Sequence, residues 1–346
     1  MNFFLLKWSK TLGRKNEVNS SEIRWSDAYK PAIGGISFYF VFLISLIAYY
    51  FVSDQSGIDH NYQIGIIAAV SLGFFTGLAD DAFNTVPWLK FAAQFLCGVI
   101  LVYFNLRIEF FEIFWLDALL TIFWTISVMN SINMLDNMDG ITASISATIL
   151  ISAAVCALPF GESALFYTIV CGGTVAALLG FLFLNWHPSR IFMGDTGSQM
   201  LGALLAAVGI AFFWNNGSII DEHAWYSKIA IVLTAFVVPI GDSITVTINR
   251  LKRGQSPFVG GRDHTTHHLS YAGLSDHFVG FVLLLISCIS IALIAGLQFV
   301  SHDHLQFYTS LLFAYPLLCI SFLYSTTIWK KAKQVYAAKH PTTSHA

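Results

Sequence analysis

Four polar segments interrupt an otherwise apolar chain, and each carries residue types suited to phosphate and metal chemistry. The first is Gly77-Leu-Ala-Asp80-Asp81, followed by Lys90 and Gln94. Adjacent carboxylates at a helix end can hold a divalent cation or position a phosphate through it, and Lys90 is a mobile cation for a phosphate. The second is Asn130-Ser-Ile-Asn133-Met-Leu-Asp136-Asn-Met-Asp139-Gly140. Its polar residues recur at every third position, so on a helix they form a slowly winding stripe that can face one ligand. It is not an EF-hand loop, because Met138 stands where the third loop position requires oxygen. The third runs from Asn185 to Ser198 and contains Arg190, Phe192 and Gly194-Asp195-Thr-Gly197-Ser198. The glycines allow close backbone approach around Asp195, a carboxylate suited to a cation shared with a diphosphate. Asp195 could also serve only as a helix cap. The fourth is the basic loop Arg250 to Leu269, with Arg253, Gly261, Arg262, Asp263, His264, His267 and His268. Arg262 suits bidentate phosphate contact and the histidines can donate to phosphate oxygens. Zinc is the competing reading of the three histidines, but it needs cysteine or carboxylate partners at known spacing, and the basic company of the histidines favours phosphate.

These segments need a scaffold, and the composition says which kind. The 346 residues are 56% hydrophobic and only 11% charged, less than half the usual charged share, with a mean hydropathy of +0.66. A water-soluble domain this apolar would lack the polar surface to cover itself, so the predicted class is an all-α, polytopic membrane protein. Spans need about 20 apolar residues each, and about ten candidates centre near 33–53, 62–79, 88–105, 113–132, 141–159, 164–184, 197–214, 227–247, 277–299 and 307–328. The net charge of −2 offers no basic field for nucleic acid. The five cysteines lie in apolar runs and read as small hydrophobes.

With the N-terminus inside, every Lys and Arg except Arg107 and Lys228 falls on the cytoplasmic side. The four polar segments then converge on that face, and carboxylates close to a bilayer point to function. The organisation expected is a cytoplasmic segment over 1–32, a single transmembrane catalytic domain over 33–328 and a basic cytoplasmic tail over 329–346. Residues 3–15 mix Phe, Leu and Trp with Lys and Arg, which fits a short interfacial helix as well as a disordered tail.

In order and spacing, Asp80-Asp81 with Lys90, Asn133-x-x-Asp136-x-x-Asp139-Gly140, Phe192-Met-Gly-Asp195-Thr-Gly-Ser198 and Gly261-Arg262-Asp263-His264-Thr-Thr-His267 resemble the motifs of the polyprenyl-phosphate N-acetylhexosamine-1-phosphate transferases. Pro31-x-x-Gly34-Gly35 fits as well, and the likeness runs over roughly residues 30–270. Within that family the chain looks like the N-acetylglucosamine-1-phosphate branch, because it lacks the triple histidine with following Phe-Glu of the phospho-N-acetylmuramoyl-pentapeptide enzymes. Asn137, in place of a usual glycine, and Thr265-Thr266, within the histidine motif, depart from the pattern.

The resemblance implies transfer of a sugar-1-phosphate from a UDP-sugar to undecaprenyl phosphate with release of UMP, in the bacterial inner membrane, for cell-wall or lipopolysaccharide O-antigen glycans. The cofactor expected is Mg²⁺, with Mn²⁺ as a substitute, held by Asp195 and Asp80. Catalytic roles are expected for Asp80, Asp81, Lys90, Asp195, His264 and His267, and substrate contacts for Asn130, Asn133, Asp136, Asp139, Phe192, Arg262 and His268. Both reactants are anions, so Mg²⁺, Lys90, Arg262 and the histidines are expected to offset charge. Direct attack by the lipid phosphate is favoured over a covalent enzyme intermediate. The alternatives are UDP-N-acetylmuramoyl-pentapeptide as donor and, far behind, a secondary transporter, whose coupling acids would sit near the midplane rather than at one face. The membrane is the expected environment, and a homodimer is compatible with the sequence.

Overall fold

A computed structural model describes residues 1–3, 6, 30–53, 61–215, 225–256, 261–329 and 335. Most of the expected basic tail and most of the proposed interfacial segment lie outside the described residues. Twelve α-helices are described: α1 (Gly34–Val52), α2 (Asn61–Phe83), α3 (Pro87–Tyr103), α4 (Phe114–Leu135), α5 (Ile141–Ala157), α6 (Leu165–Asn185), α7 (Gly194–Gly209), α8 (Trp225–Ala235), α9 (Val237–Lys252), α10 (Thr265–Tyr271), α11 (Asp276–Gly296) and α12 (Leu305–Ile328).

Among the described residues, seven helical segments are long and apolar enough to cross a membrane. One of them, Ile141–Asn185, has 45 residues. As one straight helix it would reach about 68 Å, more than twice the ~30 Å hydrocarbon core. It divides at the 3₁₀ stretch Leu158–Ala164, where Gly161 adopts φ 54°, and so forms α5 and α6. The 17-residue α3 and the α8–α9 pair complete the ten apolar segments anticipated from the sequence.

The candidate span over 227–247 is bent rather than straight. It breaks at Phe236, and α8 and α9 meet at 84°. Pro239 is the cause: it has no N–H for the Ala235 carbonyl, and its ring crowds that position.

α7 is the central helix. All its side chains from Thr196 onward are buried, and a π-helical turn, Ile210–Trp214, extends it. α1, α2, α4 and α5 pack around it. Small residues let the backbones meet where lipid supplies no hydrophobic drive between helices. A Cβ at Gly202 would lie 2.7 Å from the Met129 Cα, and one at Gly77 only 2.1 Å from the Asp195 carbonyl oxygen. Large apolar side chains point outward instead, among them Phe51, Phe123, Phe183 and Leu318. That outward distribution suits a protein whose surroundings are lipid.

At one end of the bundle the chain before α1 joins the chain before α7. Phe192 N–H donates to the Pro31 carbonyl, and the Phe192 carbonyl accepts from the N–H groups of Ile33 and Gly34 at 3.2 and 3.0 Å. These contacts satisfy N-terminal donors of α1 that have no partner within the helix. They also place Pro31–Gly35 beside Phe192–Asp195.

Candidate active site

The site begins at the end of α2. Asp80 Oδ1 accepts from the Thr85 N–H at 2.9 Å and the Thr85 hydroxyl at 2.5 Å, which ties the Asn84–Val86 turn to the helix. Pro87 then opens α3 with its φ already set for a helix. Lys90 therefore lies one turn into α3, with Nζ 2.6 Å from Asp80 Oδ2 and 2.5 Å from Asp195 Oδ2.

Asp81 points the other way. Its Oδ1 accepts from the Asp195 N–H at 3.0 Å, and its Oδ2 accepts from the Thr196 N–H at 2.9 Å and the Thr196 hydroxyl at 2.6 Å. It caps α7 from the neighbouring helix, supplying acceptors to orphan N–H groups and negative charge at the positive end of the helix. Gly194 makes room for it: φ is +72°, and a Cβ there would lie 2.4 Å from Asp81 Oδ2.

α4 brings Asn133, whose Nδ2 donates to Asp195 Oδ1 at 3.0 Å and to Ser198 Oγ at 2.9 Å. Asp136 follows just beyond the helix, with its side chain open to solvent. The surrounding protein, and then the charges of Asp195 and Asp81, push its carboxyl up, while direct access to water tempers the rise. Asp80, Asp81, Lys90, Asn133 and Asp195 thus form one network from four helices, and Asp136 adds a further carboxylate to the cluster.

The other members of the polar stripe go elsewhere. Asn130 exchanges amide hydrogen bonds with Gln94 at 3.0 and 3.3 Å, and Gln94 reaches Gln199 at 3.1 Å. Asp139 holds the chain after α6, accepting from the Ser189 N–H at 3.0 Å and hydroxyl at 2.7 Å, with His187 at 3.2 Å and Lys30 at 3.6 Å. Lys30 also lies 5.0 Å from the Phe192 ring centroid. Asn130, Asp139 and Phe192 are therefore committed to protein contacts outside the central network.

The histidine segment is a second lobe. Asp242, buried on α9, lies outside the four polar segments. It accepts from the Thr265 N–H at 2.8 Å and hydroxyl at 2.7 Å, and lies 2.8 Å from His264 Nδ1. It thereby caps α10 and orients His264. The signal for it was available, since an acid inside an apolar span requires a partner.

Arg250 grips Asp263 through Nε at 3.1 Å and Nη2 at 2.7 Å, both side chains being almost fully enclosed, and Arg253 joins them. Burial alone would raise the Asp263 carboxyl, but Arg250 and Arg253 outweigh it and hold it below the usual carboxylate range. Arg262 remains partly exposed. Burial, with His264 adding to it, pushes His267 down to about 3. Burial also pushes His268 down to about 4. Both are neutral imidazoles near pH 7 and so offer a ligand N–H donation rather than the positive charge anticipated. The lobes join where the Thr266 hydroxyl donates to Asn137 Oδ1 at 2.6 Å. Two of the departures from the motif pattern, Asn137 and Thr266, are each other's partners.

Among the described residues, no three His, Cys, Asp or Glu side chains close around one metal-sized point. This does not suit zinc at the histidines, which wants three or four protein ligands. It does suit Mg²⁺, which takes one or two carboxylates and completes its shell with water and substrate phosphate. Asp80 and Asp195 supply hard oxygens already drawn together by a cation, the Lys90 ammonium.

Residues 63–213 match glycosyl transferase family 4. The chain is 29% identical over 276 residues to a probable undecaprenyl-phosphate N-acetylglucosaminyl 1-phosphate transferase of Bacillus subtilis (strain 168), covering 76% of this chain and 72% of that protein. It is 28% identical over 283 residues to a decaprenyl-phosphate N-acetylglucosaminephosphotransferase of Mycobacterium leprae (strain TN), covering 74% and 70%. Similarity to a phospho-N-acetylmuramoyl-pentapeptide-transferase of Limosilactobacillus reuteri (strain DSM 20016) is 25% over 308 residues, covering 83% and 89%.

Proposed function

We propose that this chain, which belongs to glycosyl transferase family 4, transfers N-acetylglucosamine-1-phosphate from a UDP-sugar to undecaprenyl phosphate at the cytoplasmic face of the bacterial inner membrane. The observation that carries the reading is the convergence of Asp80, Lys90, Asn133 and Asp195 at one end of an apolar bundle. Beside these charged groups, which suit phosphates, the exposed Phe83, Trp88 and Leu89 supply apolar surface suited to a prenyl chain.

In the reaction an oxygen of the lipid phosphate attacks the sugar-bearing phosphorus of the UDP-sugar. A new P–O–P linkage forms, the bond to the bridging oxygen breaks, and UMP leaves with that oxygen. Two anions must meet, so charge repulsion dominates the barrier. Asp195 and Asp80 would hold Mg²⁺, which when bound supplies positive charge beside the diphosphate oxygens. Lys90 and Arg262 add cationic contacts, and the neutral His267 and His268 can donate N–H groups. Asp81 keeps Asp195 in place by fixing the start of α7. Asn133, beside Asp195, and the exposed Asp136 are the groups available to hold the nucleotide.

Membranes containing the chain, supplied with undecaprenyl phosphate and a panel of radiolabelled donors, are expected to transfer label from UDP-N-acetylglucosamine to lipid in a Mg²⁺-dependent way. Labelling from UDP-N-acetylmuramoyl-pentapeptide instead would favour the other branch, and labelling from no donor would defeat the transferase reading. Orientation follows from the basic residues. A cysteine introduced at Asn84, beside the site, is expected to resist an impermeant thiol reagent in intact cells. One introduced at Glu112, in the α3–α4 connection at the opposite end of both helices, is expected to react. The reverse pattern would place the site outside.

A further inference from the structure

The strongest unexplained feature of the site is the position of Lys90. Its ammonium nitrogen touches one oxygen of Asp80 and one of Asp195 at 2.6 and 2.5 Å. Those oxygens are therefore no more than about 5 Å apart, with the cation between them. Magnesium takes its oxygens at about 2.0–2.1 Å and would need to draw on the same two side chains. An ammonium and a Mg²⁺ cannot occupy that point together. The other Asp195 oxygen accepts from Asn133, so the oxygen a metal could take without breaking that bond is the one that Lys90 holds.

The chain uses a different cation where a pair is permanent. Arg250 grips Asp263 through two nitrogens, with side chains only 5% and 4% accessible. Lys90 makes single-point contacts, is 26% accessible, and sits on a flexible four-carbon stem. The charge balance is also uneven, since Asp80 and Asp195 both pair with the one Lys90 ammonium, and Asp81 adds a further carboxylate beside Asp195. Such a cluster retains affinity for a second, more highly charged cation.

Resting on the transferase reading above, we propose that Lys90 is an internal counter-ion that occupies the cation position between Asp80 and Asp195 until metal and diphosphate arrive, then swings out to the substrate phosphates. With no substrate, Lys90 competes with the metal and weakens its binding. Once a diphosphate is present the ammonium has another anion to pair with, and the competition is relieved. Metal and UDP-sugar therefore bind with positive linkage, and Lys90 carries it. The arrangement keeps the carboxylates neutralised and close together when the cleft holds no substrate.

The test is a Mn²⁺ titration of the purified full chain in detergent, read by the loss of the free-ion electron paramagnetic resonance signal. Without nucleotide, Lys90→Met is expected to bind Mn²⁺ about tenfold more tightly than wild type, because a like charge within a few ångströms has been removed. UDP-N-acetylglucosamine should tighten Mn²⁺ binding in wild type but much less in Lys90→Met, and Lys90→Arg should show no gain. Equal or weaker Mn²⁺ binding by Lys90→Met, or no binding by either protein, would overturn the proposal.

A second measurement needs no variant. Acylation of the Lys90 amine by an amine-reactive reagent, followed by mass spectrometry, should accelerate when Mg²⁺ is added to wild type, and an unchanged or slower rate counts against the exchange. The transferase reading stands or falls separately, on donor-dependent lipid labelling by wild type.

Discussion

Asp195→Asn is expected to reduce lipid labelling by up to ~10³-fold, the upper end of the scale reached when a principal electrostatic group of an active site is removed. The carboxylate accepts from Asn133, pairs with Lys90 and lies in the first turn of α7, which Asp81 caps through the Asp195 and Thr196 N–H groups. Asparagine has nearly the same shape, and the Asp81 contacts are made by backbone and Thr196, so they survive the change. What is lost is a charged oxygen, and an amide is a much poorer ligand for a hard cation. The variant should therefore insert and purify like wild type while failing to transfer. It should also bind Mn²⁺ far more weakly, which separates loss of the metal from loss of the fold. Near-normal labelling by Asp195→Asn, or wild-type labelling that persists in EDTA, would remove Asp195 from the site.

For Asp80→Asn the expected loss is smaller, about 10²-fold, and the pH profile is the informative readout. Both Asp80 oxygens are engaged, Oδ1 by the Thr85 N–H and hydroxyl and Oδ2 by Lys90 or by the metal that would replace it. A nucleophile or strong base would need an oxygen free to face phosphorus or a proton. These contacts favour a positioning role, and the chemistry of the acceptor lipid agrees. A phosphomonoester loses its second proton near pH ~6, so near pH 7 the attacking phosphate is already mostly dianionic. The residual activity of Asp80→Asn should therefore climb between pH ~5 and ~7 as the lipid phosphate ionises, and then level off. A covalent mechanism predicts no turnover by Asp80→Asn at any pH. It also predicts that delipidated wild type exchanges labelled UMP into UDP-sugar, and observing that exchange would replace direct attack with a two-step route.

The membrane class and the ten apolar segments were legible in the sequence because they rest on local composition: 56% hydrophobic residues, and runs long enough to span hydrocarbon. Asp80-Asp81, Lys90, Asn133, Asp195 and the histidines were legible as candidates for the same reason, since their unusual types stand out against apolar neighbours. Their division of labour was not. Adjacent acids Asp80 and Asp81 read alike in the chain, yet one pairs with Lys90 and the other caps α7. Asn130 and Asn133, a turn apart, part company because Gln94 meets one and Asp195 the other. Asp242 gained its role only when α9, bent at Phe236, carried it to His264 and Thr265. Local spacing fixes which side chains share a helix face. Lys90 and Asp195, though, are 105 residues apart, and Asp81 and Thr196 are 115 apart. Whether such groups meet depends on how closely the backbones of α2, α4 and α7 approach at Gly77 and Gly202, a property of packed helices that no single stretch of the chain contains.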